Sequence, residues 1–136
     1  MKTYIALFRG INVGGNSILP MKELVAVLES LGVQDIKTYI QSGNVIFQSK
    51  AADTAQLTRK IGAAIRKSHG FEPQVLLLDS VKLNKVIREN PYPEAEAAPN
   101  TLHVNFLAAI PPRPDLKTLE KIRAESEKEI NGVRLL

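Results

Sequence analysis

The order of strand-like and helix-like segments in the first half of this chain limits its fold more than any other feature. Four segments with strand character alternate with two segments of helical spacing, the strands at 3–9, 35–40, 44–48 and 74–78 and the helices at 20–31 and 53–70. Pro20 suits the first turn of a helix, Gly32 suits a helix end, and Asp53 is a typical N-cap. The predicted order is therefore β-α-β-β-α-β, the split β-α-β arrangement of ferredoxin-like domains.

Residues 80–136 predict a second, incomplete α+β part. The predicted elements are a helix from Ser80 that turns Leu83, Val86 and Ile87 inward, a strand at 101–108, a charged helix at about 114–131 and an apolar run at 133–136. We predict an α+β chain that forms a single compact unit, with a ferredoxin-like half at 1–79 and a partial half at 80–136 packed on it. The unbroken apolar run of the first strand predicts that this strand is buried on both faces.

Composition narrows the class of protein. The chain has 136 residues, of which 44% are hydrophobic and 24% charged, as is typical of one globular domain. No segment approaches the roughly 20 apolar residues of a membrane-spanning helix, and the first residues do not resemble a secretory signal. The absence of cysteine excludes a disulfide framework and a thiolate zinc site. We therefore expect a cytoplasmic protein without a membrane partner.

Four of the eight glycines lie in two polar segments, 9–17 and 41–44, and each segment follows a strand-like run. In a split β-α-β sheet the first and second strands are parallel, with the third antiparallel between them, so both segments leave the same end of the sheet. Glycine-rich bends can direct several backbone N–H groups at one anion. We therefore predict a site for phosphate or another anion, with the ligand-binding residues Arg9, Asn12, Gly14, Gly15, Asn16, Gln41, Ser42 and Asn44.

These residues also have a purely structural explanation. Glycines supply positive φ angles for turns, and asparagine side chains often bond their own backbone. The eleven-residue connection at 10–20 favours a binding role, because a strand and a following helix are usually joined by about 2–6 residues. The spacing Gly10-xxx-Gly14-Gly15 is neither the dinucleotide-binding pattern nor the P-loop pattern. The sequence therefore supports no specific nucleotide, and no cofactor is indicated.

Other chemistries have weaker support. The two histidines are isolated, no metal site is predicted, and no pattern of a hydrolase nucleophile occurs, so whether the protein is an enzyme stays open. RNA recognition through the sheet is disfavoured, because the third strand offers only one aromatic residue, Phe47. The net charge of +4 is spread thinly. Its densest cluster fits either a solvated helix face or a nucleic-acid-binding surface, and it consists of Arg59, Lys60, Arg66 and Lys67.

Several segments carry a resemblance to a known family. They are residues 4–16, Pro20-Met21-x-x-Leu24, residues 38–45, Asn90-Pro91-Tyr92 and Leu102-His103-Val104-x-Phe106-Leu107. Together they resemble the bacterial family called domain of unknown function 1697 (DUF1697). The resemblance implies an α+β fold of two ferredoxin-like halves, a cytoplasmic location and no established activity. Members of that family usually continue beyond the position of Leu136. We therefore expect a shortened member, a fragment, or a homo-oligomer in which a second copy completes the C-terminal edge.

Overall fold

The structure is a computed structural model that describes residues 1–41 and 43–122. The chain divides into two compact units, Met1–Leu83 and Asn84–Leu136. The first unit contains β1 (Lys2–Arg9), α1 (Met21–Ser30), β2 (Gln34–Tyr39), β3 (Asn44–Ser49), α2 (Thr54–His69) and β4 (Gln74–Asp79). The helix α3 (Ser80–Arg88) begins in the first unit and ends in the second. Further along the chain lie two 3-10 helices and one α-helix, Pro93–Ala97, Pro99–Thr101 and α4 (Leu116–Ile122).

The four strands of the first unit form one antiparallel sheet in the order β2-β3-β1-β4. Because β3 is antiparallel to both β1 and β2, those two strands run parallel to each other. Helix α1 connects β1 to β2, and α2 connects β3 to β4. The predicted α+β class is confirmed, and the strand order is the one that a split β-α-β arrangement requires.

The core of the first unit lies between the sheet and its two helices. On β1, the alternating residues Tyr4, Ala6 and Phe8 are buried. Tyr4 also fixes the chain beyond β3, because its hydroxyl donates a 2.6 Å hydrogen bond to the carbonyl oxygen of Ala51. The helices bury their apolar faces in the same layer, with Leu24, Leu28, Leu57, Ile61 and Ile65. Burial of each such side chain stabilises the fold by about 1.5–3 kcal/mol.

The opposite face of β1 corrects the prediction that this strand is buried on both sides. Ile5 and Leu7 are only half-buried, and Ile46, directly opposite Ile5, is exposed. Leu7 lies opposite Asn44, and Gln48 continues the same face of β3. On this face β3 places the polar residues Asn44 and Gln48 beside β1, whereas Leu78 of β4, opposite Ile5, is buried, so the described residues cover this face only in part.

Local signals at the helix ends are confirmed. Asp53 caps α2, because its Oδ1 accepts a 3.0 Å hydrogen bond from the backbone N–H of Gln56. Gly70 ends the same helix in the left-handed conformation, with φ of 77°. Gly32 follows α1 with φ of 76° and donates its N–H to the carbonyl oxygen of Glu29. These glycine positions suit a conformation that other residues adopt only with strain.

The second unit departs from the prediction of a strand at 101–108. Residues 102–107 have no regular structure, and Thr101 closes a 3-10 turn through a 2.9 Å hydrogen bond from its N–H to the Ala98 carbonyl oxygen. A strand needs a neighbour with which to pair, and the four described strands all belong to the sheet of the first unit. The alternation of apolar and polar residues at 101–108 does not show whether another strand is available for pairing.

Helix α3 also differs from its prediction. Its apolar side was expected to face inward, yet Leu83 and Val86 are only half-buried and Ile87 is 58% exposed. The spacing predicted an amphipathic helix correctly, but spacing does not show whether another element covers the apolar side.

The charged helix α4 begins close to its predicted start. Asp115 caps it, because the Thr118 hydroxyl and backbone N–H donate hydrogen bonds of 2.6 and 3.0 Å to the Asp115 carboxylate. The bond from the hydroxyl, and then that from the N–H, hold the pKa of this carboxyl below its ordinary value. The predicted remainder of this helix and the apolar run at 133–136 lie outside the described residues. In the part of the chain that the structure describes, no helix is long and apolar enough to cross a membrane.

Candidate functional site

The long connection between β1 and α1 folds into a small hairpin, residues 10–17, which we call the glycine hairpin. The Asn12 N–H donates to the Ser17 carbonyl oxygen, and the Asn16 N–H donates to the Val13 carbonyl oxygen, both at 3.1 Å. Between them Gly14 and Gly15 have φ angles of 59° and 75°. Positive φ at both central residues is typical of a type I′ turn, which glycine accommodates without strain. The connection is therefore an ordered structure.

Two buried residues and one amide anchor this hairpin to the first unit. Ile11 and Leu19 are buried in the core. The Asn12 side chain holds Leu19 at both backbone groups, since Oδ1 accepts from the Leu19 N–H at 2.7 Å and Nδ2 donates to the Leu19 carbonyl oxygen at 2.9 Å. Nδ2 also donates to the Gln41 carbonyl oxygen at 3.3 Å. Asn12 therefore joins the glycine hairpin to the turn between β2 and β3.

That second turn, residues 40–43, contacts the glycine hairpin at Gly43. A Cβ atom at Gly43 would lie 2.4 Å from Ile11 Cδ1 and 2.9 Å from Phe8 Cβ, and the backbone φ is 79°. Only glycine fits both the space and the conformation. The two segments thus lie side by side at one end of the sheet, as the parallel directions of β1 and β2 require.

The predicted site residues differ in their surroundings. Arg9 is exposed at the end of β1, and among the described residues no acidic group lies within ion-pair distance of it. Gly14 and Gly15 are exposed at the tip of the glycine hairpin, and no described residue accepts a hydrogen bond from their N–H groups. Asn16 is exposed, with a long 3.5 Å contact from its Nδ2 to the Gly14 carbonyl oxygen.

The remaining predicted residues belong to the second turn or support it. Gln41 is exposed, and Asn44 is half-buried at the start of β3. Ser42 lies outside the described residues. Both amide hydrogens of Asn12 and its oxygen are engaged within the protein, so we assign Asn12 the role of holding the two turns together.

The start of α1 lies directly after the glycine hairpin. Pro20 is its N-cap and supplies no side-chain hydrogen bond. The N–H groups of Glu23 and Leu24 both bond to the Pro20 carbonyl oxygen, whereas no described residue accepts from the N–H groups of Met21 and Lys22. Unpaired N–H groups at a helix start carry partial positive charge, which favours a nearby anion.

Sequence reasoning missed a hydrogen-bonded chain at the other side of α1. Glu23 Oε2 lies 2.6 Å from His69 Nε2, and His69 Nδ1 lies 2.6 Å from the Ser68 hydroxyl. This chain joins the end of α2 to the first turn of α1. The Ser68 hydroxyl also donates to the Ala64 carbonyl oxygen within α2 at 3.0 Å. Glu23 and His69 are 46 positions apart in the sequence, so no local sequence pattern could have indicated that they are in contact.

Four exposed apolar side chains near the two turns, which we call the apolar border, were also not predicted from the sequence. Val13 and Ile18 on one segment, and Tyr39 and Ile40 on the other, are each more than half exposed, with Tyr39 at 69%. Ile40 has φ of 48°, an unusual conformation for a β-branched residue. The sequence pattern places Tyr39 and Ile40 at the end of the strand predicted at 35–40 and does not indicate that they are exposed. Exposed apolar groups beside polar loops commonly mark a binding surface.

The remaining candidates lie apart from these turns. The predicted basic cluster of α2, Arg59, Lys60, Arg66 and Lys67, is exposed, and Arg66 lies 3.7 Å from Glu72. This arrangement agrees with a solvated helix face. Within residues 1–41 and 43–122, no three acidic or histidine side chains come together as a metal site.

The described geometry defines an α+β protein whose first unit brings two glycine-containing turns together at one end of an antiparallel sheet. Residues 1–134 match the family described as "Protein of unknown function (DUF1697)", and the chain belongs to that family. The solved structure of conserved bacterial protein SP0830 from Streptococcus pneumoniae is similar, with 33% sequence identity and a TM-score of 0.60. The alignment covers 66% of this chain and 49% of that chain, so the present chain spans about half the length of that protein. A comparison with curated proteins gave no match.

Proposed function

We propose that this protein is a small-ligand module, with a ferredoxin-like first half, that binds phosphate or another anion between the glycine hairpin and the turn at 40–43. One observation carries the proposal: Gly43 and Ile11 bring the two turns into contact, while the Gly14 and Gly15 N–H groups at the exposed tip have no acceptor among the described residues. Unsatisfied backbone donors from successive residues with positive φ are a common anion-binding arrangement.

The proposed roles follow from the surroundings of each residue. Arg9 supplies the positive charge, and the N–H groups of Gly14 and Gly15 supply hydrogen bonds to the anion. Asn16, Gln41, Ser42 and Asn44 orient the ligand from the sides. Hydrogen bonds to a charged group contribute about 1.5–3 kcal/mol each. Three such bonds contribute about 4.5–9 kcal/mol. The loss of ligand freedom reduces this sum, so we expect binding in the millimolar range.

The apolar border favours an organic anion. Tyr39, Ile40, Val13 and Ile18 are exposed on the same two segments that supply the proposed anion contacts. A phosphate ester with an apolar group would gain from covering these side chains, whereas inorganic phosphate would not. We therefore expect a phenyl phosphate to bind more tightly than inorganic phosphate.

Thermal unfolding with added ligand tests this function. Phenyl phosphate at 10 times its dissociation constant should stabilise the protein by about 1.4 kcal/mol. Arg9→Gln should weaken binding about 10-fold, as expected from the loss of one charge-assisted hydrogen bond. Arg59→Gln, which removes an exposed arginine from α2, is the matched control. Unchanged unfolding with every phosphate compound tried, or equal effects of the two substitutions, would disprove the proposal.

A second candidate function is assembly through the free edge of β4. The other sheet edge, β2, has a break in its register and a left-handed residue at Asp35, with φ of 51°. Such irregularities and charges protect an edge from pairing with other strands. In contrast, β4 pairs with β1 over six consecutive positions, and on its other side no described strand pairs with it. Its residues 74–78 carry no charge.

Sedimentation over a range of concentrations separates this second candidate from ligand binding. A dimer that Leu76→Lys abolishes supports assembly, whereas a monomer at millimolar concentration excludes it. A cytoplasmic location stays our expectation from the composition of the chain.

A further inference from the structure

The first unit has a depression at the end of the sheet opposite the glycine hairpin. Its volume is about 250 Å³. It is formed where β3 ends, β2 begins and the first two turns of α2 pass over the sheet. The residues that matter for its chemistry are Gln34, Ser49, Lys50, Gln56, Leu57 and Lys60.

The lining of this depression is positively charged. Lys50 and Lys60 both contribute, and no acidic residue does. Among the described residues neither lysine lies within ion-pair distance of a carboxylate. Asp53 is close in sequence, but its carboxylate accepts the Gln56 N–H at the start of α2 and does not line the depression. The charge of the two lysines is therefore available to a bound anion.

Ser49 provides a second and independent observation. Ser49 as a whole is 6% exposed, and it lines the depression. Its Oγ accepts a 3.1 Å hydrogen bond from the Ala51 N–H, but no described residue accepts a hydrogen bond from the Ser49 hydroxyl. A buried hydroxyl without an acceptor is unfavourable, and native proteins satisfy such groups with a ligand or water. The hydroxyl hydrogen of Ser49 is therefore available to a hydrogen-bond acceptor bound in the depression.

We propose that this depression is a second anion site, separate from the glycine turns, which binds a small organic phosphate. The Ser49 hydroxyl and the Gln34 and Gln56 amides donate to the phosphate oxygens, and Lys50 and Lys60 balance its charge. Leu57 contacts the organic part. The volume lies just below the range of about 300–1,000 Å³ that is usual for ligand pockets, so the ligand has only a few carbon atoms.

The test is an NMR titration of the whole chain with glycerol 3-phosphate, alongside glycerol and inorganic phosphate. We expect saturable shifts of the backbone amides of Ser49, Lys50 and Gln56 with glycerol 3-phosphate, weaker shifts with phosphate and none with glycerol. Lys60→Gln should raise the dissociation constant at least about 10-fold. Lys67→Gln, on the same helix but outside the depression, should change it less than about twofold, as a screened surface charge does.

Ser49→Ala distinguishes a built site from a pair of surface lysines. This variant should keep a dispersed spectrum and bind more weakly by about fivefold or more, because one hydrogen bond to a charged group is lost. The proposal is overturned if the shifts do not approach saturation by about 20 mM glycerol 3-phosphate. Equal effects of Lys60→Gln and Lys67→Gln, or full binding by a folded Ser49→Ala, would also overturn it.

This outcome is independent of the function proposed for the glycine turns. If Arg9→Gln removes ligand-induced NMR shifts of the Gly14 and Gly15 amides, those shifts report only on the site at the glycine turns. Shifts at Ser49 that Lys60→Gln removes report on the second. Each proposal can therefore fail while the other stands.

Discussion

Asn12 should hold the two glycine turns in place, and replacing it tests the geometry on which the proposed function depends. Its side chain makes three hydrogen bonds, two to the backbone of the buried Leu19 and one to the Gln41 carbonyl oxygen. Its own φ is 54°. Loss of the side chain therefore removes bonds from both turns at once and leaves the Leu19 N–H without its acceptor.

The magnitude follows from counting these groups. Asn12→Gly keeps the backbone conformation accessible and removes the three hydrogen bonds, which contribute about 0.5–1.5 kcal/mol each, or about 1.5–4.5 kcal/mol together. Asn12→Ala removes the same bonds and also forces alanine into the left-handed region, which adds about 1 kcal/mol. Asn12→Asp retains an acceptor for the Leu19 N–H, but its second carboxylate oxygen would face the carbonyl oxygens of Leu19 and Gln41, so its loss should be at least that of Asn12→Gly.

The assay is urea unfolding of the three variants and the parent, followed by far-UV circular dichroism, with an NMR spectrum of each variant to confirm folding. Asn12→Ala should be destabilised more than Asn12→Gly, and Asn12→Asp at least as much as Asn12→Gly. A loss below about 0.5 kcal/mol for Asn12→Ala, which is the range of ordinary surface substitutions, would refute the reasoning. It would mean that Asn12 does not hold the two turns together.

Three further predictions use other features of the structure. Gly43→Ala should destabilise the protein by about 2–4 kcal/mol, because its Cβ would overlap Ile11 and its φ is positive. Gly14→Ala is the control and should cost only about 1 kcal/mol in the same urea assay, because no atom lies within 4 Å of its Cβ. Equal losses of stability in the two variants would contradict the close contact between Gly43 and Ile11. Because hydrogen bonds from Thr118 lower the folded-state pKa of Asp115, their contribution to α4 is present at neutral pH and is lost as the pH falls through that lowered pKa. The Thr118 amide shift should report this loss, and a shift unchanged down to pH 2 would count against the cap. Single-stranded RNA should not bind to α2 when measured by fluorescence anisotropy at low salt. The nucleic-acid alternative would be restored if RNA binds, if its affinity falls steeply with salt, and if a variant with glutamine at both Lys60 and Lys67 does not bind it.

Features that depend on neighbouring residues were predictable from the sequence. Asp53 and Gly70 mark the ends of α2 because capping is a matter of a few adjacent backbone groups. The strand order followed from the sequence of elements, since few topologies join β-α-β-β-α-β compactly. The meeting of the two glycine segments followed in turn from the parallel directions of β1 and β2.

Features that depend on which residues meet across the fold were not predictable. The roles of individual residues within the site changed for this reason: Asn12 bonds Leu19 and Gln41, and Gly43 is required by its contact with Ile11. The strand expected at 101–108 failed because periodicity does not supply a pairing partner. The sequence also does not show that the Ser49 hydroxyl donates to no described residue, because this depends on which groups the fold places around it.

Within the first unit, the sequence by itself thus determined the kinds of element, their order and the end of the sheet at which the glycine turns lie. Tertiary structure alone decided which polar groups are consumed by the fold and which remain for a ligand. The physical reason is range: propensities and caps act over a few residues, whereas the satisfaction of a hydrogen bond depends on atoms brought together from distant parts of the chain.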